Sequence, residues 1–373
     1  MKKYRKISFF LFFVVHHAIV SAQSISLPPS GDNQKCSVTQ WIGLVSVNIT
    51  YNSPDVTGPN GEDRRGKIWG GVVPYGMVDN NFGTATKMPW RAGANENTTI
   101  SFSHDVKIED KNIQAGTYGI HMIPGKESWL IIFSKNSNAW GSYFYNEKDD
   151  ALRVEVIPQK NSFTEWLTYD FIEKKPTFTI AALKWEELMV PFKIEADVSN
   201  TYLSQIRKEL QNAAGFHWQN WVEAVNFCLD NNTNLDEALL WIDYATSAPF
   251  VGESNFTTLS TKARLLYRMN RDEDADKLVV EALNEPTASM TTIHMFGRKL
   301  ISEGRAEKAV EVFELNREKY PEDNFTTLVG LARGYEAIGK KKQAIKHYRL
   351  AAEHAPNGQK EYYLGLANEL EKR

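Results

Sequence analysis

The sequence predicts a multidomain β + α chain: an antiparallel β-sandwich or barrel over residues 38–198, followed by an α-helical solenoid of paired helices over 199–373. Three observations carry this expectation. Residues 36–195 consist of short β-type runs separated by Gly, Pro and Asn, with hardly a helical period among them. From about Asn200 the apolar spacing becomes helical. Within that back half, Asn255-Phe-Thr-Thr-Leu259 returns letter for letter as Asn324-Phe-Thr-Thr-Leu328, an offset of 69 residues, or two units of about 34.

The first element is a leader. Lys2, Lys3, Arg5 and Lys6 precede an apolar run from Ile7 to Val20, interrupted by His16 and His17 and closed by Ser21-Ala22-Gln23. A basic start, a short apolar run and small residues at its end read as a signal peptide over residues 1–22, with cleavage expected after Ala22. Residues 23–37 then form a linker, and the first residue after cleavage is not the Cys that a lipid anchor needs. No later stretch reaches the roughly 18 uninterrupted apolar residues of a membrane span. The expected mature chain is therefore secreted or periplasmic, without a transmembrane segment. Loss of the four leader cations shifts the formal charge from −3 to −7, which argues against nucleic acid as a partner. Cys36 and Cys228 fall in different expected domains, so two free thiols are expected rather than a disulfide framework.

The strands follow in order. Residues 41–51 alternate Val45, Val47, Ile49 and Tyr51 against Ser46, Asn48 and Thr50, the pattern of a half-buried strand. Residues 98–103 put Ile100 and Phe102 on one face, and 105–113 read as a strand and a turn. Residues 117–123 form a strand that stops at Pro124-Gly125. Trp129-Leu-Ile-Ile-Phe133 is apolar throughout and so is expected to be covered on both faces. Runs at 151–157, 165–171, 177–185 and 190–195 complete a set of about eight strands, the spacing of a sandwich or barrel.

Several short blocks are specific when taken together: Tyr51-Asn-Ser-Pro54, Arg65-Gly-Lys-Ile-Trp-Gly-Gly-Val-Val-Pro-Tyr-Gly76, Trp90-Arg-Ala-Gly-Ala-Asn-Glu96, Ala115-Gly-Thr-Tyr118, Ile123-Pro-Gly125 and Trp140-Gly141. On these residues the front half resembles a family of secreted bacterial proteins catalogued as domain of unknown function 2911, over most of residues 38–195. The resemblance implies a fold and a secreted address, and no established activity. The chain is longer than the family pattern at residues 58–64 and 79–88.

The block from Trp90 to Glu96 places an indole, a guanidinium, a carboxamide and a carboxylate on one turn. Arg91, Asn95 and Glu96 have the chemistry to hold a small polar ligand, the Arg fork taking a carboxylate and the Asn amide orienting it. The plainer alternative pairs Arg91 and Glu96 with each other or with turn backbone. His121 follows Tyr118 on the other face of its strand; beside Glu96 it would make an acid–base pair, whereas a lone His is ordinarily a packing residue. Tyr75, Trp69, Trp90, Trp129 and Trp140 are an aromatic supply suited to stacking on sugars, or to the core of a sandwich. The candidate ligand-binding set is Tyr75, Trp90, Arg91, Asn95, Glu96 and His121. No catalytic spacing, phosphate loop, dinucleotide fingerprint or metal-ligand spacing occurs, so no catalytic residue, cofactor or metal is expected.

In the back half, Leu328, Leu331, Tyr335, Ala344, Tyr348, Ala351 and Pro356 occupy the positions where tetratricopeptide repeats carry large, small and Pro residues. Ile293, Phe296, Gly297, Ala309, Phe313 and Pro321 form the preceding unit. The marker alanines Ala238, Ala275, Ala309 and Ala344 step by 37, 34 and 35 residues. About four helix pairs resembling tetratricopeptide repeats are expected from Ala213 onward, with residues 359–372 as a closing helix. Arg264, Arg298 and Arg333 recur at one position of successive first helices, so they are expected to form a basic ladder that takes an acidic peptide or a C-terminal carboxylate. Pairing with nearby acids such as Glu303 and Glu336 is the competing expectation. The expected function is binding: a protein or peptide partner in the solenoid groove and an unidentified ligand on the β module. The alternative is an enzyme, hydrolase-like or acting on a small ligand, sited at the Trp90–Glu96 loop.

Overall fold

The computed structural model describes residues 33–356 and 358–372. The expected signal peptide and most of the expected linker lie outside the described residues. The chain divides into two compact units, one ending at Ala196 and the other beginning at Asp197.

The front unit is built of β1 (Gln34–Ile42), β2 (Val45–Ser53), β3 (Val78–Asp79), β4 (Lys87–Met88), β5 (Thr98–Phe102), β6 (Val106–Ile108), β7 (Lys111–Ile113), β8 (Gly116–Ile123), β9 (Trp129–Ser134), β10 (Asp150–Val156), β11 (Gln159–Lys174) and β12 (Phe178–Ala196). One sheet runs β1-β2-β5-β8-β9-β10, a second β11-β12-β6-β7, and β3-β4 form a short ribbon. Every pairing is antiparallel.

Two expectations are corrected here. The linker was expected to extend to residue 37, yet β1 begins at Gln34, because Cys36, Val38 and Gln40 alternate with more exposed neighbours and pair with β2. Residues 41–51 are not one strand but cross a hairpin. Ile42 pairs with Val45, and Gly43 makes the turn at φ 58°, a left-handed conformation that glycine adopts without strain.

The inner faces carry Val47 and Ile49 of β2, Ile100 of β5, Ile120 and Met122 of β8, and Ile131 and Phe133 of β9, all fully buried. Opposite them stand Leu167 and Tyr169 of β11 and Leu183, Trp185 and Phe192 of β12. Ring contacts at 5.0 Å between Tyr51 and Tyr169 and at 6.1 Å between Phe133 and Phe192 join the two layers. Each such side chain contributes roughly 1.5–3 kcal/mol when fully withdrawn from water. β9 is covered on both faces, as its unbroken apolar run requires: Ile131, Ile132 and Phe133 are all at 0% exposure.

The outer face of the first sheet is polar and cross-linked. Asn48 donates to Ser37 Oγ (2.8 Å) and Thr39 Oγ1 (2.7 Å), and Ser101 pairs with Thr117 at 2.8 Å. A half-solvated antiparallel sheet shows this alternation of apolar inside and polar outside.

The back unit contains α1 (Val198–Leu210), α2 (Trp218–Asp230), α3 (Leu235–Ser247), α4 (Phe256–Arg268), α5 (Asp272–Asn284), α6 (Met290–Ser302), α7 (Ala306–Lys319), α8 (Thr326–Ala337), α9 (Lys341–Glu353) and α10 (Lys360–Lys372). The helices pack as the pairs α2/α3, α4/α5, α6/α7 and α8/α9, and the first members touch in succession, α2 with α4, α4 with α6, α6 with α8. Ala238, Ala275, Ala309 and Ala344 lie on the second helices, each at 0% exposure. Close crossing explains the small residues. A Cβ on Gly297 or Gly330 would lie 2.5 or 2.6 Å from the Phe313 ring, a distance that forces one helix away from the next.

The two identical pentapeptides are capped differently. Asn255 closes a capping box on α4, accepting from Thr257 and Thr258 backbone N–H groups. At the second copy the acceptor is Asp323, which takes the N–H groups of Phe325 and Thr327.

Candidate functional site

The Trp90–Glu96 loop is pinned at both ends and in the middle. Trp90 exchanges backbone hydrogen bonds with Met122 of β8, both at 2.8 Å. The Ala92 carbonyl accepts from Thr98 Oγ1 (2.9 Å) and from the buried Tyr169 hydroxyl (3.0 Å). Ala92 and Asn95 both sit at φ 53°, in the left-handed region, so the chain changes direction twice within four residues.

Those two reversals send the candidate side chains to different places. Trp90 joins Trp69, Trp129 and Trp185 in a cluster with centroids 5.1–6.3 Å apart, and it borders an open cleft of about 340 Å³ together with Val73, Gly93 and Trp185. Tyr75 is exposed and lies over Gly70, where a Cβ would come within 2.7 Å of its ring. Arg91 donates to the Asn95 carbonyl at 2.5 Å and faces the Tyr143 ring at 5.1 Å. Gly141, at φ 65°, lies against its guanidinium: a Cβ there would stand 2.2 Å from Arg91 Cζ, so the side chain would have to shift.

His121 is 2% exposed and its Nδ1 lies 2.8 Å from Ser142 Oγ. Burial, and secondarily the Arg91 charge, pulls its pKa down to about 4, so the imidazole is neutral near pH 7. A His–Ser contact is the first half of an activated nucleophile. Here Ser142 is also 2% exposed, and among the described residues no carboxylate is hydrogen-bonded to the ring. Next to it Tyr145 donates to Asp150 (2.8 Å), which Arg153 also holds at 2.6 Å; this is a structural knot at the start of β10.

Glu96 faces elsewhere. Its Oε2 accepts from Asn52 Nδ2 at 2.6 Å, and the two residues line an open cleft of about 250 Å³ with Lys35, Asn97, Thr99 and Trp140. Arg91, Asn95, Glu96 and His121, which the enzyme alternative would need in one place, are divided among turn backbone, the layer beneath residues 141–145, and the Asn52 cleft. Asn52, Asn97 and Lys35 lie outside the expected ligand-binding set. Asn52 was already visible within Tyr51-Asn-Ser-Pro54, a block otherwise read only as a family marker.

Among the described residues, no three His, Cys, Asp or Glu side chains gather as a metal site. Cys36 and Cys228 are both free, and burial pushes the Cys228 thiol up to about 11, where it is inert.

Residues 33–194 match the model of a family described as "Protein of unknown function (DUF2911)". The front unit belongs to that family. The match ends within β12, so it takes in both sheets of the DUF2911 unit except the last two residues of that strand, and none of the helices. A comparison with curated proteins finds no match.

In the helical unit the ladder of three arginines is corrected to two. Arg264 is 3% exposed and fully engaged: Nε and Nη2 donate to Glu303 Oε1 (2.8 and 2.5 Å) and Nη1 to Asn226 Oδ1 (2.8 Å). It is a structural tie, because a guanidinium withdrawn from water requires acceptors for its donors. Arg298 of α6 and Arg333 of α8 have no hydrogen bond or ion pair among the described residues, and Arg333 Nε is buried without an acceptor. Both line an open cleft of about 360 Å³ with Ile301, Ser302, Glu336 and Ala337. Glu336 accepts from the Tyr348 hydroxyl at 2.6 Å.

Proposed function

We propose that the protein is a secreted or periplasmic binding protein whose helical unit, a tetratricopeptide-like array, captures a peptide segment through a carboxylate. The observation that carries this reading is the pair Arg298 and Arg333, two guanidiniums from successive first helices that face one cleft with no acid paired to either. A buried Nε without an acceptor is costly until an oxygen reaches it. Two forks from neighbouring helices suit a carboxylate held by charge-assisted bonds. Ile301 and Ala337 line the same cleft and offer apolar contact to the residue that carries the carboxylate. The leader expected at residues 1–22 supports the address. Among the described residues, Trp90 and Glu96 line separate clefts and His121 is buried, a division that supports binding over the enzyme alternative.

The test is fluorescence polarisation with a panel of labelled peptides ending either in a free carboxylate or in an amide. Peptides with the free carboxylate or with acidic side chains should bind, and R298A/R333A should weaken them about tenfold or more while leaving the circular dichroism unchanged. Equal binding of the double variant, or equal binding of neutral amidated peptides, would remove this function.

A further inference from the structure

The cleft bounded by Glu96 and Trp140 is a second candidate site, in the DUF2911 unit and independent of the arginine cleft. We propose that it binds a neutral saccharide. Four features of the cleft lead to this ligand class.

The first is the aromatic. Of the tryptophans that the sequence offers for stacking, Trp69, Trp90 and Trp129 are spent on the internal cluster with Trp185. Trp140 is 55% exposed and lines the cleft. An indole face left in water beside polar groups suits a ligand with one apolar C–H face and a polar periphery.

The second is the hydrogen-bonding inventory. Asn52 is 2% exposed and holds Glu96 Oε2, so the carboxylate is oriented before any ligand arrives. Asn97 is 6% exposed, and its Nδ2 donates to the Asn136 carbonyl at 3.2 Å. That fixes the amide, and Asn97 Oδ1 is buried without a hydrogen-bond partner. Lys35 and Thr99 add donors on the strands beside it. Hydroxyl groups both donate and accept, so they match a wall that mixes carboxylate, amide, ammonium and hydroxyl.

The third is charge. Lys35 and Glu96 contribute one positive and one negative side chain to the lining, which balance. A dedicated anion or cation site carries an excess of the opposite sign; this one does not.

The fourth is size. The volume of about 250 Å³ is well above the roughly 10–15 Å³ that a single water needs on the same measure. That is the room of a sugar ring, open to solvent so that neighbouring rings of an oligosaccharide remain outside.

The full mature chain should be titrated with maltohexaose, cellohexaose, xylohexaose, mannohexaose and chitohexaose, following tryptophan emission and the heat of binding. At least one is expected to bind. W140A, which removes an exposed ring, should weaken that glycan about tenfold or more without moving the thermal midpoint, and E96Q should weaken it several-fold. Unchanged peptide affinity in W140A, and unchanged glycan affinity in R298A/R333A, serve as separate controls, since neither site borrows residues from the other. No binding by any of the five glycans would overturn the proposal, as would affinity that survives W140A. Choline binding in their place would make the cleft a cation site and overturn it equally.

Discussion

At the scale of single residues, the front unit is governed by where the backbone adopts left-handed conformations. Ala92 and Asn95 decide which way Arg91 and Glu96 point, and Ala92 is a residue from which no sequence pattern anticipates that geometry. The composition of the site was therefore legible, an indole, an Arg, an Asn and a Glu on one loop, while its convergence was not. Asn52, Asn97 and Trp140 come together from β2, the approach to β5 and the loop after β9. Only the folded sheet brings such distant positions side by side. Gly141 makes the constraint testable. Replacing it with Ala puts a methyl group against the Arg91 guanidinium at a position of positive φ. G141A should lose about 2 kcal/mol or more of stability, read as a lowered urea midpoint. A midpoint equal to the wild type would mean that Arg91 is not held under this segment.

At the scale of elements, the helix pairs were easier to foresee than the strands. A repeat that packs helix on helix needs a small residue at each crossing, and Ala238, Ala275, Ala309 and Ala344 answer that need in sequence and in burial alike. Strand boundaries depend on pairing partners, so the β1–β2 hairpin was hidden inside one alternating run whose period continued through the turn. Elements also carry a common pH response. His121 on β8 and His294 on α6 are both buried, and both have a pKa lowered to about 4; for His294 burial is the larger cause, followed by the charges of Arg298 and Arg333. In the unfolded chain an imidazole protonates near 6.5. Between that value and about 4 the unfolded state binds more protons, so this contribution is complete above 6.5 and is lost as pH falls towards 4. Each histidine accounts for at most about 3 kcal/mol. Urea melts at pH 7 and pH 4.5 should show a smaller acid loss in H121Q and H294Q than in the parent. An undiminished acid loss in both variants would locate the sensitivity elsewhere.

At the scale of the whole molecule, two units with separate cores share one chain, and each has its own cleft with its own chemistry. The back unit is less a string of independent hairpins than its period suggests. Arg264 on α4 holds Asn226 on α2 and Glu303 at the end of α6, so one side chain spans three successive helix pairs. Removing it strands a mostly buried carboxylate. R264M should cost about 3 kcal/mol, and R264M/E303Q should recover part of that; equal midpoints for the single variant and the parent would show that the contact is idle.

In a linear array, contacts between adjacent modules set how far a local opening spreads. A rivet through three modules at once makes the first three helix pairs of this array melt as a block. Fraying should accordingly start from the Lys360–Lys372 end, and amide exchange there should outpace exchange in Trp218–Asp230.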